Sequence, residues 1–465
     1  MSRRPESDWQ GYLRSLEVFG MRPGLERVQA LLDRLQRPER SFRAIHVVGT
    51  NGKSSTTRYA AAIVQAAGLR VAAYLSPHIA GYHERLLVDG RPVDAALFGS
   101  AVERVRTESR ALPPALGPVT QFEALTVAAL LAAAEAGVEA AAIEAGLGGR
   151  LDATNVLDAP VVVLTNIGLE HTEVLGDTRE QIFAEKAAVI SRGADAVFGP
   201  LEGVEGAAEE VCARVGARAH LLGRDVRIDG GPDDFAVTVR SARGATARAE
   251  EAAAGEAQPP ALTDSDRLSP LGLASTGGEE RFADLAVPTA AAYQVTNATL
   301  AVAACRLLLG PLDEAAVRGA VARAAVPGRL QVAGRDPLLI ADGAHNPDGM
   351  RALAAALTAI DRPRPRVGVV AIMADKAVED MLDVLGPLLD SIVCTTASEA
   401  RSLPAAALAE RAAAASGERL ALEVEPDPHR AVALGRRLAG PGGSVLVTGS
   451  LYLLADLADL LEPEA

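Results

Sequence analysis

The chain has 465 residues, a hydrophobic fraction of 49% and a formal net charge of −14. At roughly 150 residues per domain, this length predicts two or three domains, and aromatics at only 3% leave Val, Leu, Ile and Ala to build the cores. The acidic balance excludes broad nucleic-acid binding but leaves room for local anion sites. Cys212, Cys305 and Cys394 are far apart and lack metal-ligand spacing, so they read as small core residues in a reducing compartment. The start, Met1-Ser2-Arg3-Arg4-Pro5, runs into polar residues without an apolar signal core. The apolar run over 124–136 is too short to span a bilayer. A soluble, cytoplasmic monomer is expected, with no membrane partner and no nucleic-acid partner.

In chain order, apolar runs alternate with helical stretches, the pattern of an α/β fold with a mostly parallel sheet. Strands are predicted over 45–48, 71–75, 140–143 and 161–164. Helices are predicted over 54–67, 123–136 and 178–190. The stretch 242–280 is rich in Ala, Gly, Glu, Ser and Pro without apolar periodicity, and reads as a flexible insertion. A helix resumes over 294–309. Val326-Pro327-Gly328-Arg329 reads as a junction. Beyond it, strands over 338–341, 367–372, 392–394 and 444–447 predict a second, smaller α/β domain. The expected division is 1–326, a phosphate-loop-type domain, and 327–465, a Rossmann-like domain.

Lysine is rare: Lys53, Lys186 and Lys376 stand against 43 arginines. A retained lysine suggests work a guanidinium cannot do, as a compact charge for phosphate or as an amine that can be deprotonated and modified. Lys53 closes Gly49-Thr50-Asn51-Gly52-Lys53-Ser54-Ser55, between a predicted strand and a predicted helix. Such a turn aims backbone N–H groups and the helix N-terminus at an anion. Lys53 can neutralise phosphates, and Ser54 or Ser55 can reach a magnesium ion. The usual phosphate loop has glycine where this chain has Val47.

Further motifs end other strands. Glu144, followed by Ala145-Gly146-Leu147-Gly148-Gly149, can hold Mg²⁺ beside the loop, although a plain glycine-rich turn fits equally. His171 follows the strand over 161–164, and Ser76 ends the one over 71–75, so Ser76, Glu144 and His171 are expected to converge on metal. In the second half, Asp342 sits at a strand end in Asp342-Gly343-Ala344-His345-Asn346-Pro347, where it could accept from a ribose hydroxyl. Thr448-Gly449-Ser450 offers another anion-friendly turn.

This ordered set, from Gly24-Leu25-Glu26-Arg27 through Ser76-Pro77-His78 and Glu185-Lys186-Ala187 to Gly449-Ser450, resembles folylpolyglutamate synthase/dihydrofolate synthase, relatives of the Mur ligases. The resemblance spans nearly the whole chain outside the insertion. It implies ATP and Mg²⁺ as cofactors, with Thr50, Asn51, Gly52, Lys53 and Ser54 on the phosphates. Ser76, Glu144 and His171 resemble the family's magnesium ligands. Lys186 resembles the lysine that CO₂ carboxylates to bridge a second magnesium. Asn297, Arg329 and Asp342 match ATP-contacting positions. Thr120, Gln121, Phe122, Glu123, Leu151, Asp152 and Ala153 match segments that hold the pterin, and residues 15–18 match a further one less well. His345 and Ser450 are expected to contact substrate. Ser54 replaces the glycine usual after the loop lysine, which leaves open whether Ser54 or Ser55 approaches the metal.

The implied reaction is ATP-dependent ligation of L-glutamate to dihydropteroate or a folate through an acyl phosphate, at a site between the domains. Another Mur-type amide ligase is a rival, although a phosphate loop beginning at Gly49 is expected to leave no room for the extra N-terminal domain of the peptidoglycan enzymes. A regulatory ATPase is the other rival, and it would not need the turns at 342–347 and 449–450.

Overall fold

The computed structural model describes residues 8–16, 24–77, 81–241, 278–360, 362–416 and 420–461. The first sheet holds β1 (Arg43–Val48), β2 (Val71–Tyr74), β3 (Leu86–Val88), β4 (Arg91–Pro92), β5 (Ala140–Glu144), β6 (Val161–Leu164), β7 (Asp195–Phe198) and β8 (Arg218–Leu221). Their order is β4-β3-β2-β5-β1-β6-β7-β8. β2, β5, β1, β6, β7 and β8 run parallel, and β3 and β4 add an antiparallel edge. Val, Ile and Ala fill β1, β5 and β6, which are buried on both faces, as parallel strands between helix layers must be.

The scarcity of aromatics is met by alanine. The helices Gln121–Glu135 and Ala292–Leu309 are buried nearly all round, and their small side chains let backbones approach closely. Ala292–Leu309 packs on Lys53–Ala66, where the Cys305 Sγ–H reaches the Ala60 carbonyl at 3.4 Å. All three cysteines are buried and free, as expected of core residues.

A three-stranded antiparallel sheet follows: β9 (Val226–Gly231), β10 (Asp234–Ser241) and β11 (Gly278–Leu285). It corrects part of the insertion reading. Residues 278–280 belong to β11, where Glu279 and Glu280 pair with Arg240 and Val239. The remainder of that segment, 242–277, lies outside the described residues, as do His78 and residues 17–18. Phe235, Val237 and Val239 alternate inward against Ala292–Leu309, so burial on one face holds this sheet.

The last sheet contains β12 (Gln331–Arg335), β13 (Leu338–Ala341), β14 (Arg366–Val370), β15 (Ser391–Cys394), β16 (Ala421–Val424) and β17 (Ser444–Thr448) in the order β12-β13-β17-β14-β15-β16. All but β12 pair in parallel. The carboxyl ends of β1, β5 and β6 face the loops after β13, β14 and β17, and the site lies there. Among the described residues, no helix is long and apolar enough to cross a membrane.

Candidate active site between the two main sheets

The phosphate loop leaves β1 and enters the helix Lys53–Ala66 through Gly52, at φ 82°. A Cβ on Gly52 would stand 2.4 Å from the Asn297 Oδ1, so both backbone sign and space require glycine. The loop is tied to β6: Asn51 N–H donates to Asn166 Oδ1 at 2.9 Å, and Thr165 Oγ1 donates to the Asn51 carbonyl at 2.6 Å. Lys53 folds back over the loop, its Nζ donating to the carbonyls of Gly49 at 3.1 Å and Thr50 at 2.9 Å.

Register brings the first carboxylate into place, because Val47 on β1 lies beside Glu144 on β5. Glu144 is buried, its Oε1 accepting from Ser54 Oγ at 2.9 Å and its Oε2 from the Ser76 N–H at 3.1 Å. Burial raises its pKa, against the pull of Lys53, these two donors and Arg329. The two loop serines point to different partners. Ser54 faces Glu144 in the cavity, whereas Ser55 is buried and accepts from Gln294 Nε2 at 3.2 Å.

Ser76, Glu144 and His171 line one cavity of about 150 Å³ with Lys53 and Lys186. Ser76 meets Glu144 through its backbone. His171 has φ 53°, a left-handed conformation that a non-glycine residue adopts at some cost, and its Nε2 lies 3.8 Å from Glu170 Oε1. Burial and Lys376 lower its pKa, which favours the neutral imidazole. Among the described residues, no three His, Cys, Asp or Glu side chains form a cluster able to hold a metal by themselves. A buried carboxylate beside a serine hydroxyl and a phosphate loop still fits Mg²⁺, which keeps several waters and takes substrate phosphate oxygens.

Lys186 enters from the helix Arg179–Ala187, held against the glycine turn because a Cβ on Gly149 would strike the Glu185 and Lys186 carbonyls at 2.7 Å. Lys186 is 4% exposed, and its Nζ donates to the Gly49 carbonyl at 2.9 Å. Burial, then the nearby Lys53 charge, lower its pKa to about 7.

On one side, a cavity of about 300 Å³ is lined by Asn51, Gly52, Asn297, Arg329, Asp342 and His345 with other residues. Asp342 is already engaged. Oδ2 accepts from the Tyr293 hydroxyl and the Leu330 N–H, both at 2.8 Å, and Oδ1 from the Ala344 N–H at 2.9 Å. The expected ribose contact would have to share these lone pairs. On the other side, a cavity of about 450 Å³ is lined by Thr120, Phe122, Glu123, Leu151, Asp152, Ala153, His345 and Ser450 among others. His345 borders all three cavities, and the cavity of Lys53, Glu144 and Lys186 shares further lining residues with each of the other two.

Two expected substrate contacts are differently employed. Gln121 does not line that cavity; its Nε2 donates to the Leu13 carbonyl at 2.9 Å and to the Tyr82 hydroxyl at 3.3 Å, which anchors the helix Asp8–Ser15. Glu123 reaches the cavity but caps its own helix with Thr120 and pairs with buried Arg27 at 2.8 Å.

Glu170, the neighbour of His171, is a further charged group at the site. Its Oε1 accepts from Lys376 Nζ at 2.8 Å across the two main sheets, and His345 Nε2 lies 3.8 Å away. Burial pushes the Glu170 carboxyl up, but His345 and Lys376 outweigh it and hold the pKa at about 2. Its sequence signal is an acid in the loop that follows β6. A second bridge joins Asn51 and Asn346, each amide donating to the other's oxygen at 3.3 and 3.0 Å.

Residues 47–198 match the Mur ligase middle domain, and residues 328–451 match the Mur ligase glutamate ligase domain. The chain is 34% identical to a dihydrofolate synthase/folylpolyglutamate synthase of Mycobacterium tuberculosis over 85% of this chain and 78% of that protein. It is 30% identical to the Bacillus subtilis protein of the same name over 98% and 99% of the two chains. The solved Mycobacterium tuberculosis folylpolyglutamate synthase complexed with ADP and AMPPCP superposes with a TM-score of 0.83 at 28% identity, covering 98% of both chains. The bifunctional Yersinia pestis enzyme complexed with AMPPNP and Mn superposes at 0.80, also 28% identical and covering 98% of both chains. Two Mur ligase domains in this order, and relatives of that one name over almost the whole length, place the chain in the folylpolyglutamate synthase/dihydrofolate synthase family of the Mur ligases.

Proposed function

We propose that this chain uses ATP to join L-glutamate to the carboxylate of dihydropteroate, of a folate, or of both. One observation carries the reading: the cavity holding Lys53, Glu144 and Lys186 opens between the other two, so a γ-phosphate from one side and a carboxylate from the other would meet there.

The carboxylate oxygen attacks the γ-phosphorus, the bond to ADP breaks, and an acyl phosphate forms. The glutamate amine then attacks the acyl carbon, losing its proton, and inorganic phosphate leaves. Such chemistry is mostly positioning and charge stabilisation. Thr50, Asn51, Gly52 and Ser54 offer the loop, Lys53 neutralises phosphate charge, and Asn297, Arg329 and Asp342 border the nucleotide. Thr120, Phe122, Glu123, Leu151, Asp152 and Ala153 take the pterin, with His345 and Ser450 facing the ligation point. Magnesium, held by Glu144 with Ser54 or Ser76 and His171, and a second ion on carboxylated Lys186, would supply further charge neutralisation. The Glu170–Lys376 and Asn51–Asn346 bridges join the two halves across the site. We place the division between the halves at 326/327, after the helix Glu314–Arg323 and before β12.

The test is ADP release with dihydropteroate or tetrahydrofolate, each with and without L-glutamate. Release that requires glutamate and one pterin substrate supports the reading, and the substrate that works assigns the activity. Release indifferent to glutamate would favour a regulatory ATPase.

A further inference from the structure

His46 stands in the middle of β1, 0% exposed, between Ile45 and Val47. An aliphatic side chain would suit that position better, because a buried polar atom without a partner is costly. Its Nδ1 has no hydrogen-bond partner, while its Nε2 lies 2.8 Å from Thr154 Oγ1. Thr154 Oγ1 in turn lies 2.5 Å from Asp152 Oδ1, which also accepts the Thr154 N–H at 3.0 Å. Asp152 Oδ2 accepts from the Leu147 N–H at 2.8 Å, and Asp152 borders the large cavity.

With Asp152 ionised, the hydrogens present fix the direction of this chain. A hydroxyl has one hydrogen, and an ionised carboxylate only accepts. The Thr154 hydrogen therefore goes to Asp152, and its oxygen must accept from an Nε2–H on His46. That leaves Nδ1 unprotonated, and it is the nitrogen without a partner. The reverse arrangement needs a proton on Asp152 and strands a buried N–H on Nδ1. Burial lowers the His46 pKa to about 4, so the ring stays neutral near pH 7. Burial also raises the Asp152 pKa, against which the Thr154 hydroxyl and the Leu147, Thr154 and Gly146 N–H groups pull.

We propose that His46 is a positioning residue for substrate recognition: its Nε2–H, acting through the Thr154 hydroxyl, holds Asp152 fixed at the cavity wall, where Oδ2 can accept from an N–H on the edge of a pterin. The inference rests on the proposed pterin role of Asp152. It explains why a central strand carries a histidine that touches no substrate. Hydrogen-bond chains polarise their members in a low-dielectric interior, so the effect reaches Asp152 across Thr154.

The experiment compares His46→Leu and His46→Gln with the unsubstituted enzyme. Leucine removes the donor, and the expected result is a KM for the pterin substrate raised on the order of tenfold, the scale of one weakened charge-assisted hydrogen bond. The KM values for ATP and glutamate, and kcat, are expected to change by less than about twofold. Glutamine can place an N–H near the Nε2 position and is expected to restore most of the loss. Nitrogen-15 NMR of the unsubstituted protein is expected to show the Nε2–H tautomer at pH 7. An unchanged pterin KM in His46→Leu, an equal rise in all three KM values, or an Nδ1–H tautomer would overturn the proposal. Should the unsubstituted protein turn over no pterin substrate, the functional reading fails by itself, and the tautomer still judges the hydrogen-bond chain.

Discussion

Replacing Lys186 by arginine keeps a positive charge and tests whether the position needs an amine. The side chain is 4% exposed and its Nζ sits 2.9 Å from the Gly49 carbonyl, with Lys53 donating to the same oxygen at 3.1 Å. Burial first, and Lys53 second, lower the Lys186 pKa to about 7. At pH 7 about half of the amine is then neutral, against roughly one molecule in 3,000 for an unperturbed lysine at about 10.4 to 10.5. Only the neutral amine can attack CO₂ to form a carbamate, so the site raises the reactive fraction about 1,000-fold. Arginine stays protonated, with a pKa above about 12, and cannot form that group. Its larger head must also fit against the Gly49 backbone, at an overpacking cost of about 1–3 kcal/mol. The expected Lys186→Arg enzyme is folded by circular dichroism, with kcat/KM for glutamate-dependent ADP release lowered about 1,000-fold, or about 4 kcal/mol of barrier. Lys186→Ala is expected to recover part of its activity with added short carboxylates. Lys186→Arg turnover within about threefold of the unsubstituted enzyme would refute the carbamate argument.

Lys186 also makes a stability prediction. Its folded pKa lies below its unfolded value, so the unfolded chain binds more protons between about pH 7 and 10.5, and stability rises with pH across that window. Lys186→Met is therefore expected to raise the melting temperature most near pH 6, with the gain shrinking toward pH 10; a gain independent of pH would contradict the lowered pKa. Lys53→Ala is expected to lower turnover by on the order of 10²–10³ with the fold intact, and near-normal turnover would remove the phosphate-loop assignment. Glu144→Ala and His171→Ala are each expected to raise the Mg²⁺ concentration needed for half-maximal turnover. Unchanged magnesium dependence in both would separate these residues from the metal.

What could be read without coordinates was local. A strand, a glycine-rich turn and a helix follow one another within about 25 residues around Lys53, so their geometry is written in adjacent residues. The same holds for Glu144 at the end of β5 and Asp342 at the end of β13, because the carboxyl edge of a parallel sheet collects such groups. The rarity of lysine marks Lys186 and Lys376 in the sequence alone. The tertiary structure decided which side chain meets which. Gln121 lies in the expected segment, but packing turns its amide to Leu13, 108 residues away. Ser54 and Ser55 are chemically alike, and only the rotation of their helix sends one to Glu144 and the other to Gln294. Lys376 finds Glu170 across 206 residues, a pairing with no local pattern. The segment after residue 241 reads as an insertion between strands, but the pairing of β10 with β11 across it has no local sequence pattern. His46 looks like a stray polar residue in an apolar strand until β1 is placed beside the loop carrying Thr154. Local order follows from nearest-neighbour backbone preferences, whereas these pairings depend on register and packing between segments far apart in the chain.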